Sequence, residues 1–238
     1  MPTSIGLLGT GRLGTAVRRL ADDRDDVQVA WAVGRGPVPQ TPVDVAIDVS
    51  TAQAVAGHLD WARRTGTDLV IGTTGWDTDL LSAPETGIRV LVAPNFSLGV
   101  ALVSALVRAL GGYADTTGIP TDLAVTETHH RHKVDSPSGT ALALRDAVAH
   151  GAGQQPDRVQ TTSLRLGEVV GDHEVSATSA LETISVRHTA HDRDLFAHGA
   201  LDAALWLAAR PAPGTYTLDD LAQTHLRTLL DPPQKESR

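Results

Sequence analysis

The chain has 238 residues, 41% of them hydrophobic and 20% charged, and a formal net charge of −8. That hydrophobic content is enough for a packed core, and the length allows one large domain or two smaller ones. Cysteine is absent, which excludes disulfides, thiolate catalysis and cysteine-ligated metals. The acidic balance argues against nucleic-acid binding. Without an apolar run of about 18 residues or an N-terminal leader, we expect a cytoplasmic protein with no membrane span.

Strand and helix signals alternate in the first part of the chain. Helices at residues 12–21 and 51–64 lie between short apolar strands, predicted at residues 5–8, 27–33, 43–47, 68–71 and 89–92. Strands separated by helices of this length favour an α/β fold with a parallel, doubly wound sheet.

The pattern changes after residue 96. Residues 161–187 are rich in Val, Thr, Ser and Ile, which predicts antiparallel or mixed strands. We therefore predict a second, α+β domain at residues 97–210, and a first domain made of residues 1–96 and 211–238. The other elements predicted after residue 96 are a strand at 123–126 and helices at 97–110, 139–150, 194–210 and 217–229.

A glycine-rich turn opens the first helix. Gly9, Gly11 and Gly14 follow a strand with the spacing G-x-G-x-x-G. Such glycines permit a tight turn and let a dinucleotide pyrophosphate approach the backbone N–H groups of the helix N-terminus. A turn without a ligand gives the same pattern, but the flanking strand and helix favour the nucleotide. The predicted cofactor-binding residues of the turn are Gly9, Thr10, Gly11, Arg12, Leu13 and Gly14.

The end of the second strand bears on the choice of cofactor. An acid there would bind the ribose 2′-hydroxyl of NAD, but Ala32-Val33-Gly34-Arg35 contains none. Arg35, together with Arg12, can meet the 2′-phosphate of NADP, unless both are ordinary surface arginines. The sequence therefore favours NADPH without excluding NADH.

Three further strand ends carry small or polar residues. Asp48-Val49-Ser50 and two later segments would lie at the carboxyl edge of the sheet, where ligands bind in open α/β folds. Each alone is an ordinary loop, but together they predict a groove for the nicotinamide and its ribose. The predicted cofactor-binding residues here are Gly72, Thr73, Thr74, Ala93, Pro94, Asn95 and Phe96.

Potential cations are concentrated in one segment. Three of the ten histidines are His129, His130 and His132, with Arg131 and Lys133 among them. In a chain of net charge −8 such a cluster needs a local anion, and a carboxylate substrate is the simple candidate. A metal site and a solvated basic loop are the alternatives. Because Arg131 and Lys133 would repel a metal cation, we predict no metal site.

Two features of this segment favour a substrate site with proton transfer. Pro137-Ser138-Gly139-Thr140 leads into a helix whose N-terminus would hold a carboxylate, and His129 can exchange a proton near neutral pH. Of the 20 basic residues 18 are Arg, and the two Lys are Lys133 and Lys235. Arg stays protonated whereas Lys can lose its proton, so Lys133 indicates proton donation, although chance placement gives the same count.

The same residues form a longer signature. Glu127, His129, Lys133 and Asp135, followed by Pro137-Ser138-Gly139-Thr140-Ala141, resemble without a mismatch the signature of the 4-hydroxy-tetrahydrodipicolinate reductase (dihydrodipicolinate reductase) family, from the diaminopimelate route to lysine. The resemblance extends over nearly the whole chain. Further similar segments, in the family's order, are 72–75, 93–97, 165–173 and 196–207.

The resemblance implies an activity and an architecture. The activity is the NAD(P)H-dependent reduction of 4-hydroxy-tetrahydrodipicolinate, a heterocyclic dicarboxylate, to tetrahydrodipicolinate. The architecture is a Rossmann domain completed by the C-terminal tail, with a mixed-sheet domain that binds substrate and builds a homotetramer. The resemblance makes His129 a proton donor or acceptor and Lys133 a proton donor, with His130, Gly139 and Thr140 binding the carboxylates.

The chain departs from the family in three places. Its turn glycines are spaced two and three, where many members have three and three. The third strand ends in Asp48-Val49-Ser50 instead of the usual Asp-Phe-Thr. The usual acid after the second strand is missing, which leaves NADH and NADPH open.

Two rival functions have the same early pattern. An aspartate or diaminopimelate dehydrogenase would share the architecture but would not account for the segment from His129 to Ala141. A nucleotide-binding regulatory module would retain the glycine turn but would not need Lys133.

Overall fold

The computed structural model describes residues 1–82, 85 and 87–230. It divides the chain into two compact units. The first unit contains Met1–Ser97 and Asp194–Leu221, and the second contains Leu98–Arg193 and residues 222–230.

Ten strands and six α-helices make up the two units in the described part of the chain. In chain order they are β1 (Thr3–Leu8), α1 (Arg12–Asp22), β2 (Val27–Val33), β3 (Val45–Asp48), α2 (Ala52–Thr65), β4 (Asp68–Ile71), β5 (Arg89–Val92), α3 (Leu98–Thr116), β6 (Thr121–His129), α4 (Gly139–Gly151), β7 (Gln160–Arg165), β8 (Gly171–Ser179), β9 (Thr183–Ala190), α5 (Asp194–Ala208), β10 (Gly214–Thr217) and α6 (Leu218–Leu230).

A six-stranded parallel sheet forms the first unit, in the order β10-β5-β4-β3-β1-β2. Its central strands are continuous apolar runs, as expected for parallel strands covered on both faces. Leu7, Ile47, Leu69 and Leu91 are almost wholly buried in it. This architecture confirms the predicted Rossmann-type, doubly wound sheet.

One strand of this sheet was not predicted. β10 adds to the edge, parallel to β5, with Thr215 opposite Val90. It is only four residues long and follows Pro211 and Pro213, so the turn signals hid a strand too short to show an apolar pattern.

Helix α5 lies in the first unit, whereas the sequence analysis assigned residues 194–210 to the second domain. It packs against α1 and the central strands, with Ala200, Leu201 and Leu207 fully buried. A Cβ at Gly199 would lie 1.8 Å from the carbonyl oxygen of Phe96, so the helix backbone approaches this strand end closely. The structure corrects that boundary, and it also places residues 222–230 of α6, predicted for the first domain, in the second unit. The predicted contribution of residues 231–238 to the first domain lies outside the described residues.

A four-stranded sheet in the order β7-β6-β8-β9 forms the second unit. β6 pairs parallel with β7 and antiparallel with β8, which confirms the predicted mixed sheet. Alternate residues of β6 and β8, including Val125 and Val175, face α3 and α4 and are buried there with Val107 and Leu144. The other face of the sheet carries mainly polar side chains.

Helix α3 is, among the described residues, the one helix long and apolar enough to cross a membrane. Its backbone packs tightly on α4. A Cβ at Gly111 would lie 2.2 Å from the carbonyl oxygen of Val148, and one at Gly151 would lie 2.0 Å from that of Arg108. Val107 and Leu110 on the same helix belong to the apolar core, so one face of α3 lies in the core of the second unit.

Candidate active site

The glycine turn connects β1 to α1 at the carboxyl edge of the parallel sheet. Gly9 has a φ of +119°, which favours glycine, and a Cβ there would lie 2.5 Å from the carbonyl oxygen of Val49. A Cβ at Gly14 would lie 2.0 Å from the carbonyl oxygen of Gly9, whereas one at the exposed Gly11 would meet no atom within 4 Å. The turn therefore needs Gly9 and Gly14 for its own packing, and Gly11 leaves the backbone at the start of α1 open, which fits a pyrophosphate.

The end of β2 lies beside this turn. A Cβ at Gly34 would lie 2.5 Å from Oγ1 of Thr10, so the threonine side chain fills the place where a longer residue at position 34 would begin. A side chain at position 34 would have to displace this hydroxyl. Arg12 and Arg35 are both exposed, and Leu13 is half-buried.

Asp48 links the carboxyl ends of β3 and β4. Its buried Oδ1 accepts hydrogen bonds from the Ser50 N–H (3.0 Å), the Ser50 hydroxyl (2.6 Å) and the Thr73 hydroxyl (2.9 Å), and Oδ2 lies 2.7 Å from Nδ1 of His58. Burial alone would raise the pKa of Asp48, but the hydrogen bonds from His58 and Ser50 hold it below its usual value. No role was predicted for Asp48 itself, and the network fixes two of the strand ends predicted to bind the cofactor.

The remaining cofactor candidates lie at the same edge. A Cβ at Gly72 would lie 2.2 Å from the ring of Phe96, which is itself buried, as is Ala93. Thr74 and Pro94 are exposed, and Oδ1 of the half-buried Asn95 accepts a hydrogen bond from the Ser97 N–H at 2.8 Å. The side chains of Phe96 and Ala93 are thus part of the protein interior beneath this edge. These two residues would contact a cofactor through their backbone atoms.

The second unit collects the predicted catalytic and substrate residues where β6 ends and α4 begins. Glu127 and His129 lie two residues apart on β6, so both point to its buried face. Nδ1 of His129 contacts Oε2 of Glu127. His129 is 7% exposed. The strand thereby presents a carboxylate and an imidazole as one pair.

Glu127 has two further partners. Its Oε1 accepts hydrogen bonds from Nη2 of Arg165 (2.8 Å) and from the Ser138 N–H (3.2 Å). Burial alone would raise the pKa of Glu127, but the hydrogen bonds, above all that from Arg165, lower it to about 2. Glu127 is therefore ionised throughout the neutral range.

Burial affects both histidines of this site. It lowers the pKa of His129, against the opposing hydrogen bond to Glu127. His173 packs edge-on against His129 with ring centroids 5.0 Å apart, and burial, helped by the charge of His129, lowers its pKa to about 4. Both rings are consequently neutral in the ligand-free protein near pH 7.

Helix α4 begins beside this pair. Oγ of Ser138 accepts a hydrogen bond from the Ala141 N–H (3.1 Å) as the N-cap, and it lies 3.3 Å from Nε2 of His173. Gly139 is exposed and Thr140 half-buried in the first helical turn. The helix N-terminus predicted to hold a carboxylate is thus formed next to His129.

The cations of the following loop have acidic neighbours. Nζ of Lys133 lies 2.8 Å from Oδ1 of Asp135, and Nε of the exposed Arg131 lies 3.8 Å from Glu168. The local anion that this cluster was predicted to need is therefore supplied in part by the protein's own carboxylates, and a carboxylate substrate stays a prediction. The rings of His130 and His132 lie 6.5 Å apart in the same loop.

Glu127, His129 and His173 also have ligand atoms within 4.8 Å of one another, a spacing that suits a metal ion. Glu127, however, already accepts hydrogen bonds from Arg165, whose charge opposes a bound cation. The absence of a metal stays a prediction. Arg165 and His173 were missed as site residues, although both lie in a segment that resembles the family.

The fold is shared with solved reductases and dehydrogenases. The structure is similar to a dipicolinate-bound dihydrodipicolinate reductase from Paenisporosarcina sp. TG-14, with a TM-score of 0.77 at 18% identity over 93% of this chain and 100% of that one. An amine dehydrogenase from Mycobacterium smegmatis gives a TM-score of 0.59 at 9% identity, over 92% and 96%. At these identities the likeness establishes the fold class alone.

Sequence comparison identifies the family. Residues 37–96 match the family model for the N-terminus of dihydrodipicolinate reductase, and residues 99–222 match that for its C-terminus. The 4-hydroxy-tetrahydrodipicolinate reductase of Zymomonas mobilis subsp. mobilis is 37% identical over 91% of this chain and 96% of its own length. That of Xanthomonas axonopodis pv. citri is 41% identical over 89% and 94%. The chain belongs to the dihydrodipicolinate reductase family.

Proposed function

We propose that the protein reduces 4-hydroxy-tetrahydrodipicolinate to tetrahydrodipicolinate with a reduced nicotinamide cofactor, in the diaminopimelate route to lysine. One observation carries the proposal. The signature from Glu127 to Ala141 folds into a single site, in which Glu127 links His129 on β6 to the Ser138 N-cap of α4. Family membership supports the same reaction.

The first unit has the parts that a dinucleotide needs. When bound, the cofactor supplies the hydride. The glycine turn, with its open backbone at Gly11, suits the pyrophosphate, and the strand ends at residues 72–74 and 93–96 suit the nicotinamide and its ribose. The exposed Arg12 and Arg35 favour NADPH.

The second unit has the parts that a dicarboxylate needs. The N-H groups of Gly139 and Thr140, at the positive end of α4, and the side chain of His130 would hold the two carboxylates. The site thereby orients the ring and opposes the negative charge that develops on it.

His129 or Lys133 donates the proton that the reduction consumes. In the overall reaction a hydride replaces the hydroxyl, which leaves with a proton as water. The negative charge of a bound dicarboxylate would raise the pKa of His129 and favour its protonated form, in which it can donate. Lys133, held 2.8 Å from Asp135, is the second donor.

The second unit also suits the proposed homotetramer. The face of its sheet turned away from α3 and α4 carries mainly polar side chains, and the exposed Thr126, Thr162 and Ser185 lie on it. An exposed sheet face of this kind can pack against the same face of another copy. The role in amino-acid biosynthesis supports a cytoplasmic location.

Turnover by the purified protein tests the proposal. We expect oxidation of NADPH that depends on 4-hydroxy-tetrahydrodipicolinate, and none with the cofactor alone. Reduction of NADP by aspartate or diaminopimelate instead would show a dehydrogenase. Binding of NADPH without any turnover would support the regulatory module.

A His129→Ala variant tests the site itself. We expect its kcat to fall by about 10²–10⁴-fold, the usual contribution of a positioned proton donor. His150→Ala, an exposed histidine at the other end of α4, is the matched control. Equal turnover by the two variants would show that His129 transfers no proton.

A further inference from the structure

Glu127 belongs to the signature, but the sequence pattern assigns it no role in catalysis or binding. We propose that Glu127 and Arg165 are positioning residues that hold His129 in one tautomer, with the proton on Nδ1 and with Nε2 as the atom that exchanges a proton with the substrate. The substrate part of this inference rests on the proposed function, whereas the tautomer is a property of the protein alone.

The contact between His129 and Glu127 determines the tautomer. An ionised carboxylate accepts hydrogen bonds and donates none, so Nδ1 must carry a proton to bond to Oε2 of Glu127. A neutral His129 then has its lone pair on Nε2, and a protonated one has its exchangeable proton there.

Arg165 keeps Glu127 ionised and fixed. It stands opposite His129 on the neighbouring strand β7, and its Nη2 donates to Oε1 of Glu127 at 2.8 Å and to the carbonyl oxygen of Asp135 at 2.6 Å. The Ser138 N–H donates to the same Oε1. Both donors lie on Oε1, so they stabilise the orientation of the carboxylate in which Oε2 faces the imidazole. Arg165 also joins the pair to the loop that carries Lys133.

The start of β8 leaves room at the other ring nitrogen. A Cβ at Gly171 would lie 3.1 Å from Nε2 of His129, closer than nearly all such contacts. Glycine at this position therefore keeps a side chain away from the nitrogen that we assign to proton exchange. The surroundings of both ring nitrogens therefore support the same tautomer. Nδ1 contacts the carboxylate of Glu127, and no side chain of residue 171 lies beside Nε2.

The imidazole ¹⁵N shifts of the wild-type protein, labelled at histidine, test the tautomer directly. The His129 signals are assigned by their loss in His129→Ala. We expect the neutral ring to carry its proton on Nδ1. A neutral ring with its proton on Nε2 would overturn the proposal, whatever the variants do.

Glu127→Gln gives a second test of the tautomer, because the hydrogen bonds from Arg165 and the Ser138 N–H determine the orientation of the new amide. Arg165 and the Ser138 N–H require the amide oxygen on their side, so the amide N–H₂ faces Nδ1 and reverses the tautomer. We expect the proton to move to Nε2 and kcat to fall about 10–100-fold, with KM for the cofactor unchanged within about twofold. Glu182→Gln, in the exposed β8–β9 hairpin, is the matched control and should behave as wild type.

A purely structural role for the pair gives a different result. It would lower the thermal stability of Glu127→Gln but leave the tautomer and the kcat of the folded protein unchanged, and that outcome would overturn the proposal. Arg165→Lys retains the charge but not the rigid guanidinium whose Nη2 reaches both Glu127 and Asp135, and we expect an intermediate kcat. If wild type turned over no substrate while its tautomer was as expected, the proposed reaction would be wrong and the positioning of His129 would stand.

Discussion

The cofactor edge of the first unit and the β6–α4 site of the second unit are built from different parts of the chain. At the cofactor edge the decisive groups are backbone, and Gly9, Gly11 and Gly14 shape where that backbone can go. At the β6–α4 site they are buried side chains, Glu127 and His129, held by hydrogen bonds. A phosphate needs only N–H groups at the right place, whereas a proton donor needs one particular side chain.

The difference predicts how each region responds to substitution. A site built from backbone groups tolerates new side chains wherever there is space, so substitutions there lower binding or stability through steric clashes. A site built from side chains loses activity when the reacting group is replaced, even where the replacement fits and keeps the charge.

Substitution of Lys133, like that of His129, has the largest expected effect. Lys133→Arg keeps the positive charge beside Asp135 but cannot give up its proton, so we expect kcat to fall about 10²–10⁴-fold, close to the fall in Lys133→Ala. Steady-state turnover of both variants measures this. If Lys133→Arg retained most of the wild-type kcat while Lys133→Ala lost it, Lys133 would serve as a charge and not as a proton donor.

Two alanine substitutions in the glycine turn separate packing from binding. Gly14→Ala places a methyl 2.0 Å from a backbone oxygen, and we expect it to lower the free energy of unfolding by about 1–3 kcal/mol. Gly11→Ala meets no protein atom, so we expect unchanged stability but a roughly tenfold or greater rise in the Kd for NADPH.

Thermal melts and cofactor titrations of the same two proteins measure both quantities. An unchanged Kd for NADPH in Gly11→Ala would show that the pyrophosphate does not bind at this turn. An unchanged free energy of unfolding in Gly14→Ala would show that α1 can shift to accommodate the methyl group.

The same contrast explains what the sequence predicted. The parallel sheet and the mixed sheet were predicted correctly, because apolar periodicity is a local property of the chain. The segment from His129 to Thr140 stood out for a similar reason, since a side-chain signature is also local, and the roles of its residues stay predictions. β10 was missed because four residues after two prolines show no period. α5 was assigned to the wrong unit because its apolar surface shows that it is buried but does not show against which sheet.

The missed site residues have a similar cause. Arg165 reaches Glu127 only because β7 pairs with β6 in one register, with Glu127 opposite Ser163. His173 reaches Ser138 from β8. Sequence patterns do not reveal such register, so a charge on a neighbouring strand cannot be assigned to a partner before the sheet is known.

Acid should weaken the second unit through His173. Its pKa is lowered from 6.5 to about 4, so below pH 6.5 the unfolded chain takes up a proton that the folded chain does not. This group's stabilisation is complete above pH 6.5 and is lost as the pH falls toward 4, by up to about 3 kcal/mol. Thermal melts between pH 7 and pH 4 should show this loss.

His173→Gln provides the control for this pH dependence. Gln can still bond to Ser138 but does not titrate, so we expect a flatter profile between pH 6.5 and pH 4. A slope remains, because burial also lowers the pKa values of His129 and His188. An identical slope in the variant would show that His173 is not the group that titrates.

The smallest effect concerns the cofactor edge, where only exposed side chains distinguish NADPH from NADH. Arg35→Ala removes one solvated charge from the 2′-phosphate, so we expect a Kd for NADPH about three- to tenfold higher and an unchanged Kd for NADH. The difference should shrink at high salt, because screening acts on exposed charges. Arg18→Ala, an exposed arginine on α1, is the matched control. An unchanged ratio of the two Kd values would remove Arg35 from cofactor choice and leave Arg12 as the one exposed arginine that the sequence assigns to the phosphate.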